Sequence, residues 1–351
     1  MHQAEQVDRV IAGIQDQQIS SLPDHKTSTL LCVLDWGLGH AARSLALLEQ
    51  LRTAGTPVHL AASGRARAFL VAALPGETIH KLPSYNVRYS SGNMPLNVAW
   101  QLPKWVRTIV RERRETAALV ARLGVGRIIS DSRFGCFHPS IPSVMLTHQL
   151  QPITNNGIAS WLYQWWLQRF TECWVPDYPD RRLSGKLSDP TGYGKVRYIG
   201  PLSRLKPSNV ATEPYDCLAL LSGPEPMRSR LEEELIPILT ALPGRHLLVR
   251  GVPSDRPATH QGNLKLLDFA DAPLLERHLP VARYVICRAG YSTVMDLAVL
   301  KAQGKRLFIP TPGQTEQEYL ARTRVQSKVK GAVLEQGRLT KQLAGAVQER
   351  R

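Results

Sequence analysis

Short apolar runs alternate with amphipathic segments along most of this chain. The apolar runs predict buried strands, the clearest of them being Thr29–Leu34, Arg127–Ser130 and Tyr284–Cys287. Segments with apolar residues three and four positions apart predict helices between the strands, as at Ala41–Arg52 and Met227–Ala241. Because strands that alternate with helices form parallel sheets, the pattern predicts an α/β protein.

A break in this pattern predicts how the chain is organised. Residues 200–214 are rich in proline and serine and lack periodicity, and the strand–helix alternation restarts after them. We therefore predict a first domain at 27–204, a linker at 205–214 and a second domain at 215–351. A polar N-terminal extension at 1–26 precedes them. Each domain is expected to be Rossmann-like, and the two are expected to face each other across a cleft that holds the ligand.

The charge balance indicates an acidic partner. Lys and Arg number 44 against 29 Asp and Glu, which gives a formal net charge of +15. Such an excess is typical of proteins that meet phosphorylated substrates, anionic lipids or nucleic acid, although it also serves solubility. No nucleic-acid-binding motif accompanies it, so we expect no nucleic acid. Four cations share one side of a predicted helix, which leaves contact with an anionic membrane open. They are Lys104, Arg107, Arg111 and Arg114.

Cysteine usage and the absence of long apolar runs indicate a cytoplasmic protein. The five cysteines lie far apart without a C-x-x-C pair, which favours buried reduced thiols over a metal site or disulfides. No apolar run approaches the ~18 residues of a membrane span, and the N-terminus lacks the apolar region of a signal peptide. The aromatic segment Trp161–Trp166 is expected to belong to the core, with a membrane anchor as the alternative.

The first segment with candidate chemistry is Asp35–Arg43, DWGLGHAAR, which directly follows a strand. Gly37 and Gly39 permit a tight turn with close backbone approach. His40 is expected in that turn as a general base, because imidazole titrates near neutrality. The alternative is a histidine that only caps the helix start.

Other residues of the first domain are expected to support this base. Asp131 ends a strand and would orient His40 or bind acceptor hydroxyls, whereas a turn-forming role is the alternative. Arg43 and Arg133 would pair with carboxylates or with an acceptor phosphate. His148 follows another strand and is a further candidate, with a structural role as its alternative.

The second such segment is Val285–Leu300, VICRAGYSTVMDLAVL. A strand runs into a small-residue turn at Ala289 and Gly290, and a helix begins with Ser292 and Thr293. Unpaired backbone N–H groups and the helix dipole make such a helix start an anion site. One turn later, Asp296 can accept hydrogen bonds from sugar hydroxyls. The segment therefore predicts a nucleotide site, with phosphates at the turn and ribose at Asp296.

The second half resembles the MurG-like, family 28-like group of GT-B glycosyltransferases. The similarity rests on Cys287-Arg288-Ala289-Gly290, on Thr293 and Asp296, and on the stretch from Pro310 to Gln317. The resemblance implies a metal-independent enzyme without a cofactor, in which Asp296 holds the ribose of a UDP-sugar. It also implies further donor-binding residues. These are Ser222 and Gly223 in a diphosphate loop, Arg228 near phosphate, Phe269 near the base, Arg288 beside the turn, and Glu316 and Gln317 at the sugar.

The segment Gly37-Leu38-Gly39-His40-x-x-Arg43 is also similar to PseG-type nucleotide-sugar hydrolases. Three functions therefore stay open. The first is transfer of a sugar from a UDP-sugar to an unidentified acceptor that is anionic or lipid-linked. The second is hydrolysis of a nucleotide sugar by water, and the third is nucleotide-sugar binding without catalysis. Transfer is the preferred hypothesis, located in the cytoplasm or at the inner face of its membrane.

Overall fold

A computed structural model describes residues 27–85, 94–153, 157–252, 254, 256–326 and 330–348. The predicted extension at 1–26 lies outside the described residues. The chain divides into two compact units, unit 1 ending at Leu202 and unit 2 beginning at Ser203. The boundaries predicted for the linker remain a prediction.

Unit 1 contains a seven-stranded sheet in the order β3-β2-β1-β4-β5-β6-β7, in which every pairing is parallel. The strands are β1 (Thr29–Val33), β2 (Val58–Ala62), β3 (Ile79–Lys81), β4 (Arg127–Asp131), β5 (Ser143–Leu146), β6 (Glu172–Val175) and β7 (Val196–Tyr198). The helices are α1 (Leu38–Thr53), α2 (Gly64–Ala73), α3 (Met94–Leu123) and α4 (Gly157–Leu167). The central strands β1, β4 and β5 are buried along their whole length, as expected of a sheet covered on both faces.

Unit 2 contains a second seven-stranded sheet, in the order β10-β11-β9-β8-β12-β13-β14. The strands are β8 (Cys217–Leu220), β9 (His246–Val249), β10 (Thr259–Gln261), β11 (Leu264–Leu267), β12 (Tyr284–Cys287), β13 (Lys305–Phe308) and β14 (Gly331–Val333). The helices are α5 (Met227–Ala241), α6 (Ala272–His278), α7 (Tyr291–Val299), α8 (Thr315–Gln326) and α9 (Leu339–Gln348). The edge pair β10–β11 is antiparallel and the other pairings are parallel.

Both sheets have the strand order of a Rossmann fold, so the prediction of two Rossmann-like α/β units is confirmed. In unit 1 the order reverses between β1 and β4, and in unit 2 it reverses between β8 and β12. Ligands of open α/β sheets bind outside the carboxyl ends of the strands at such a reversal. The two segments with candidate chemistry follow β1 and β12, so each lies at the reversal of its own sheet.

The structure corrects two local expectations. Helix α1 begins at Leu38, directly after Gly37, whose φ of 140° is readily adopted only by glycine. His40 therefore lies in the first turn of a helix and not in the turn before it.

The expectation that the aromatic segment belongs to the core is wrong for its outer face. Trp161, Leu162 and Trp165 are 61%, 47% and 41% exposed, because α4 packs through its other side, where Tyr163 and Leu167 lie. The expectation for the cysteines holds, since all five are buried and free.

Candidate functional site

The candidate site of unit 1 gathers side chains from three elements at the carboxyl edge of the sheet. His40, Arg43 and Ser44 lie on α1, Asp131 is the last residue of β4, and His148 follows β5. They meet because β1 and β4 are neighbours, so the helix after β1 begins beside the end of β4. The structure thus brings together the predicted residues His40, Arg43, Asp131 and His148.

Asp131 is completely buried and accepts hydrogen bonds from several donors. Arg43 Nε lies 3.1 Å from both carboxylate oxygens, and Arg43 Nη2 donates to Oδ1 as well. Ser44 Oγ donates to Oδ2 at 3.0 Å. Burial opposes ionisation of this carboxyl, but the positive charge of Arg43 holds the pKa of Asp131 well below its usual range. Asp131 is therefore a fixed anion at neutral pH.

His40 is oriented by this anion. Its Nδ1 lies 2.9 Å from Asp131 Oδ1 and 2.9 Å from Arg43 Nη2. The two hydrogens of Nη2 already have acceptors in Asp131 and in Ser132 Oγ, the latter at 3.2 Å. Because Asp131 is ionised and can only accept, we assign Nδ1–H of His40 as the donor to Asp131. Nε2 then carries the lone pair.

The ring of His40 is suited to accept a proton from a substrate, because it is not already protonated at neutral pH. Burial and then the nearby charge of Arg43 lower the pKa of His40 below its ordinary value, although Asp131 acts in the opposite direction. The ring is thus neutral at pH 7, with 20% of the side chain exposed. A neutral imidazole held by a carboxylate at Nδ1 is the arrangement of a general base.

Arg133 does not join this cluster. Its side chain is fully buried and forms an ion pair with Glu112 of α3, and it donates to the carbonyl oxygen of Val33 at 2.8 Å. Glu112 also accepts from Tyr85 Oη at 2.8 Å. The expectation that Arg133 binds a carboxylate of the site or an acceptor phosphate is therefore corrected, because a partner on α3 already holds its guanidinium.

In unit 2, the predicted phosphate turn leads directly into α7. Gly290 is the N-cap residue of this helix and has no side chain that could cap it. Ser292 and Thr293 follow in the first turn, and the preceding Ala289 is buried. The N-cap position therefore lacks the side-chain acceptor that helix N-termini usually have.

Asp296 lies in the second turn of α7, where its carboxylate has one neutral hydrogen-bond donor. Ser203 Oγ donates to Asp296 Oδ1. Burial raises the pKa of Asp296 to about 6, while the hydrogen bond from Ser203 and the charge of Arg204 pull it down. Among the described residues, no cationic side chain forms an ion pair with this carboxylate, so it has unused acceptor capacity, as binding of ribose hydroxyls would require.

Arg288 places a buried positive charge beneath the loop that follows β8. Its side chain is 1% exposed, and its terminal nitrogens donate to the carbonyl oxygens of Ile309 and Met227 and to Gln336 Oε1. Burial lowers its pKa to about 10. Gly223 of this loop lies near the guanidinium, since a Cβ there would lie 3.5 Å from Thr311 Oγ1 and 3.9 Å from Arg288 Nε.

The remaining predicted donor residues follow strands β8, β11 and β13, and their contacts differ from one residue to the next. Arg228 on α5 pairs with Glu225 and Glu232. Phe269, after β11, is 40% exposed. Gln317, on α8, accepts from the backbone N–H of Thr311 at 2.9 Å. Ser222 is exposed after β8, and Glu316 lies in the first turn of α8.

Two residues that donate hydrogen bonds to the carboxylates of these clusters were not predicted from the sequence. Ser44 directly follows the segment Asp35–Arg43, and this position is the only local feature that could have indicated its role. Ser203 lies in the aperiodic segment that precedes β8, where the sequence contains no cue for its contact with Asp296. Both donate to a carboxylate that the sequence did single out.

The described part of the chain contains no helix long and apolar enough to cross a lipid bilayer. Nor does it bring three or more His, Cys, Asp or Glu side chains into a group that would hold a metal ion.

Comparison with known proteins agrees with this architecture. Residues 254–351 match the model of the glycosyltransferase family 28 C-terminal domain. No curated protein sequence is significantly similar to the chain.

Several solved structures are similar over nearly the whole chain. MurG of Acinetobacter baumannii has a TM-score of 0.56 at 16% identity, covering 92% of this chain and 91% of its own. The spinosyn rhamnosyltransferase SpnG complexed with thymidine diphosphate has a TM-score of 0.63 at 15% identity, covering 92% of both chains. Arabidopsis thaliana UGT89C1 complexed with UDP-L-rhamnose has a TM-score of 0.60 at 14% identity, covering 92% of this chain and 90% of its own.

The family match lies within unit 2, and the structural matches extend over both units. At these identities the structural matches establish the fold. This chain therefore has the GT-B fold of two Rossmann-like units, and its C-terminal part is similar to the C-terminal domain of glycosyltransferase family 28.

Proposed function

We propose that this protein is a glycosyltransferase that moves a sugar from a nucleoside diphosphate sugar to an acceptor hydroxyl. The observation that supports it most directly is the His40–Asp131 pair, because it provides a neutral, oriented base at the edge of unit 1. The family match in unit 2 supports a nucleotide-sugar donor. Each unit thus contributes one half of what a transfer reaction needs.

The donor is assigned to unit 2. The diphosphate would accept hydrogen bonds from backbone N–H groups at the start of α7, next to Ala289 and Gly290. The ribose hydroxyls would donate to Asp296, and the base would lie near the exposed ring of Phe269. We propose UDP as the nucleotide, although SpnG has been solved with thymidine diphosphate and the Arabidopsis protein with UDP-L-rhamnose.

The leaving diphosphate has stabilising groups in the protein itself. The dipole of α7 and its N–H groups favour negative charge at this end of the helix. The buried guanidinium of Arg288 adds a positive charge without a carboxylate partner among its hydrogen bonds. We therefore propose a metal-independent reaction in which these groups stabilise the charge that develops on the leaving group.

The acceptor is assigned to unit 1, where His40 would remove the proton of its hydroxyl. Asp131 would hold the imidazole by Nδ1 and stabilise the imidazolium that forms. The same base would equally activate a water molecule, so nucleotide-sugar hydrolysis is the second candidate. Nucleotide-sugar binding without catalysis is the third.

The outer face of α3 supports an anionic or lipid-linked acceptor at a membrane surface. Val106 and Val110 are 49% and 47% exposed on this helix. The four cations predicted from the sequence, Lys104, Arg107, Arg111 and Arg114, are exposed as well. Exposed apolar residues among cations are typical of helices that lie on anionic bilayers. We therefore place the activity in the cytoplasm, at the inner face of the membrane.

The decisive experiment combines a binding screen with product analysis. UDP-, dTDP-, GDP- and CMP-sugars are tested for thermal stabilisation of the protein. Each nucleotide sugar that binds is then incubated with the protein, with water as the only acceptor. Binding of a UDP-sugar with slow or no release of free sugar favours transfer, or binding without catalysis, over hydrolysis. Rapid release of free sugar and UDP identifies a hydrolase. Absence of binding by every nucleotide sugar contradicts the proposal.

A further inference from the structure

Two buried polar atoms of unit 2 face the same place without a hydrogen-bond partner. Among the described residues, no group pairs with Arg288 Nε or with Thr311 Oγ1. Arg288 is 1% exposed and Thr311 is 3% exposed. A Cβ added at Gly223 would lie 3.9 Å from that Nε and 3.5 Å from that Oγ1. Both unpaired atoms therefore border the space beside Gly223.

The sheet of unit 2 brings these three residues together. Gly223 follows β8, Arg288 directly follows β12, and Thr311 follows β13. The strands β8, β12 and β13 are neighbours, so their carboxyl ends lie side by side at the reversal of strand order, where open α/β sheets bind ligands. Gly223 is exposed and has a φ of 105°, which favours glycine. The absence of a side chain there leaves the space open to a ligand.

Both polar groups are held in place by other contacts. Four hydrogen bonds of 2.8 to 3.1 Å, all to neutral oxygens, fix the two terminal nitrogens of Arg288. Burial lowers the pKa of Arg288 only to about 10, so the guanidinium is charged at pH 7. The backbone N–H of Thr311 donates to Gln317 Oε1 at 2.9 Å, and its carbonyl oxygen accepts from the N–H of Gln314 at 3.0 Å. Neither group needs to reorganise before it binds a ligand.

The chemistry of the two atoms fits an anionic oxygen. Arg288 Nε–H can only donate, and the hydroxyl of Thr311 can donate as well. A buried donor without a partner is unfavourable, and an incoming oxygen would remove this cost at both atoms. The N-cap of α7, Gly290, lies two residues after Arg288, and the dipole of that helix favours negative charge at the same end. Phosphate and carboxylate groups carry two or more oxygens and can meet both donors.

We propose that Arg288 Nε and Thr311 Oγ1 form an oxyanion subsite beside Gly223 that binds a phosphate or carboxylate group. The identity of that group rests on the proposed function. In a nucleotide sugar it is either the terminal phosphate, which carries the sugar, or a carboxylate on the sugar itself. Thr311 is thereby a binding residue for the donor. The subsite itself follows from the two unpaired atoms and the space beside Gly223.

Calorimetric titration of the full chain with three nucleotides tests the subsite. UMP has one phosphate, UDP-glucose has two, and UDP-glucuronic acid has two together with a sugar carboxylate. Thr311→Val replaces the hydroxyl with a methyl group of similar size. If the terminal phosphate binds there, this variant should bind UDP-glucose and UDP-glucuronic acid roughly tenfold more weakly and UMP as before. If the sugar carboxylate binds there, only UDP-glucuronic acid should be weakened. Either result supports the subsite and identifies its ligand group.

Matched variants separate binding from a structural role of the hydroxyl. Thr311→Ser keeps a hydroxyl and should restore most of the affinity. Thr240→Val removes a hydroxyl from the exposed side of α5, where it donates to the carbonyl oxygen of Ile236, and should leave all three affinities unchanged. Thr311→Val without ligand should unfold at the wild-type temperature or above, because the hydroxyl it removes is unpaired. Wild-type affinity for all three nucleotides in Thr311→Val, or an equal loss that includes UMP, would overturn the proposal.

Pyrophosphate distinguishes failure of the subsite from failure of the proposed function. A wild-type protein that binds none of the three nucleotides would contradict the proposed function. Pyrophosphate binding that Thr311→Val weakens roughly tenfold would still support an oxyanion subsite in such a protein. Absence of pyrophosphate binding, or binding that is the same in Thr311→Val, would then overturn the subsite as well.

Discussion

The affinity for a UDP-sugar is expected to depend on pH through Asp296. In the free protein burial raises the pKa of this carboxyl to about 6. Ribose hydroxyls donate to the ionised form, and hydrogen bonds to a charged group contribute about 1.5–3 kcal/mol. Binding should therefore favour the carboxylate, and acid should weaken binding once the free carboxyl is protonated.

The size of the effect follows from the proton that must be lost. At one pH unit below the pKa of the free carboxyl, deprotonating Asp296 for binding costs about 1.4 kcal/mol. The affinity should therefore fall roughly tenfold between pH 7 and pH 5. Above pH 7 it should be constant. Asp296→Asn should bind more weakly at pH 7 and show no dependence over this range, and Asp296→Ala should lose about 1–3 kcal/mol.

Calorimetric titration with UDP-glucose is the appropriate assay, because its diphosphate has no terminal phosphate that titrates in this range. Glu213→Gln is a matched control, since Glu213 is 85% exposed and pairs with Arg245 at the surface of the same unit. The reasoning is refuted if wild-type affinity is constant from pH 5 to pH 7, or if Asp296→Asn retains the wild-type dependence.

Thermal unfolding provides an independent measure of the same group. A pKa raised from 3.8 to about 6 means that stability is lost as pH rises from about 4 to 6, because the unfolded chain ionises first. The difference between these two pKa values corresponds to at most roughly 3 kcal/mol in the free energy of unfolding. Asp296→Asn, which keeps an acceptor for Ser203, should therefore melt at a higher temperature than the wild type at pH 7 and at a similar temperature at pH 4.

Three further predictions concern the base, the buried ion pair and the basic helix. His40→Ala should retain UDP-glucose binding and lose roughly 10²–10⁴ in turnover, measured as UDP release, and near wild-type turnover would reassign the base. Arg133→Met leaves Glu112 buried without its partner and should destabilise unit 1 by about 3–5 kcal/mol in denaturant unfolding, whereas an unchanged midpoint would show that the pair is dispensable. Reversal of the four exposed charges of α3 should abolish co-sedimentation with anionic vesicles at low salt, each cation contributing about 1 kcal/mol. If the wild type ignores such vesicles at low salt, the face is only solvated surface. These charges are Lys104, Arg107, Arg111 and Arg114.

Local pattern was sufficient for the longer elements of the fold. Strand Tyr284–Cys287 and helix Met227–Ala241 have the bounds that their apolar spacing predicts. The strands β3, β7, β10 and β14 were not predicted, since each has three residues and too few positions to show a period. They exist because a neighbouring strand offers hydrogen-bond partners, which is a property of the sheet and not of the segment.

The aromatic helix shows the same limit for burial. The aromatic segment of α4 was expected in the core as a whole, but Trp161 and Trp165 are exposed. Hydrophobicity indicates that a side chain can be buried. Whether another element covers it depends on packing between segments that are distant in the chain.

The sequence by itself determined the fold class, the two strand–turn–helix segments and the candidates His40, Asp131 and Asp296, because these depend on short-range patterns. Only the tertiary structure decided the partners. It placed Arg43 on Asp131 and both histidines, Arg133 on Glu112, and Ser203 on Asp296. The physical reason is that a guanidinium or a carboxylate is compatible with many partners, and the order of strands in the sheet determines which of them it meets.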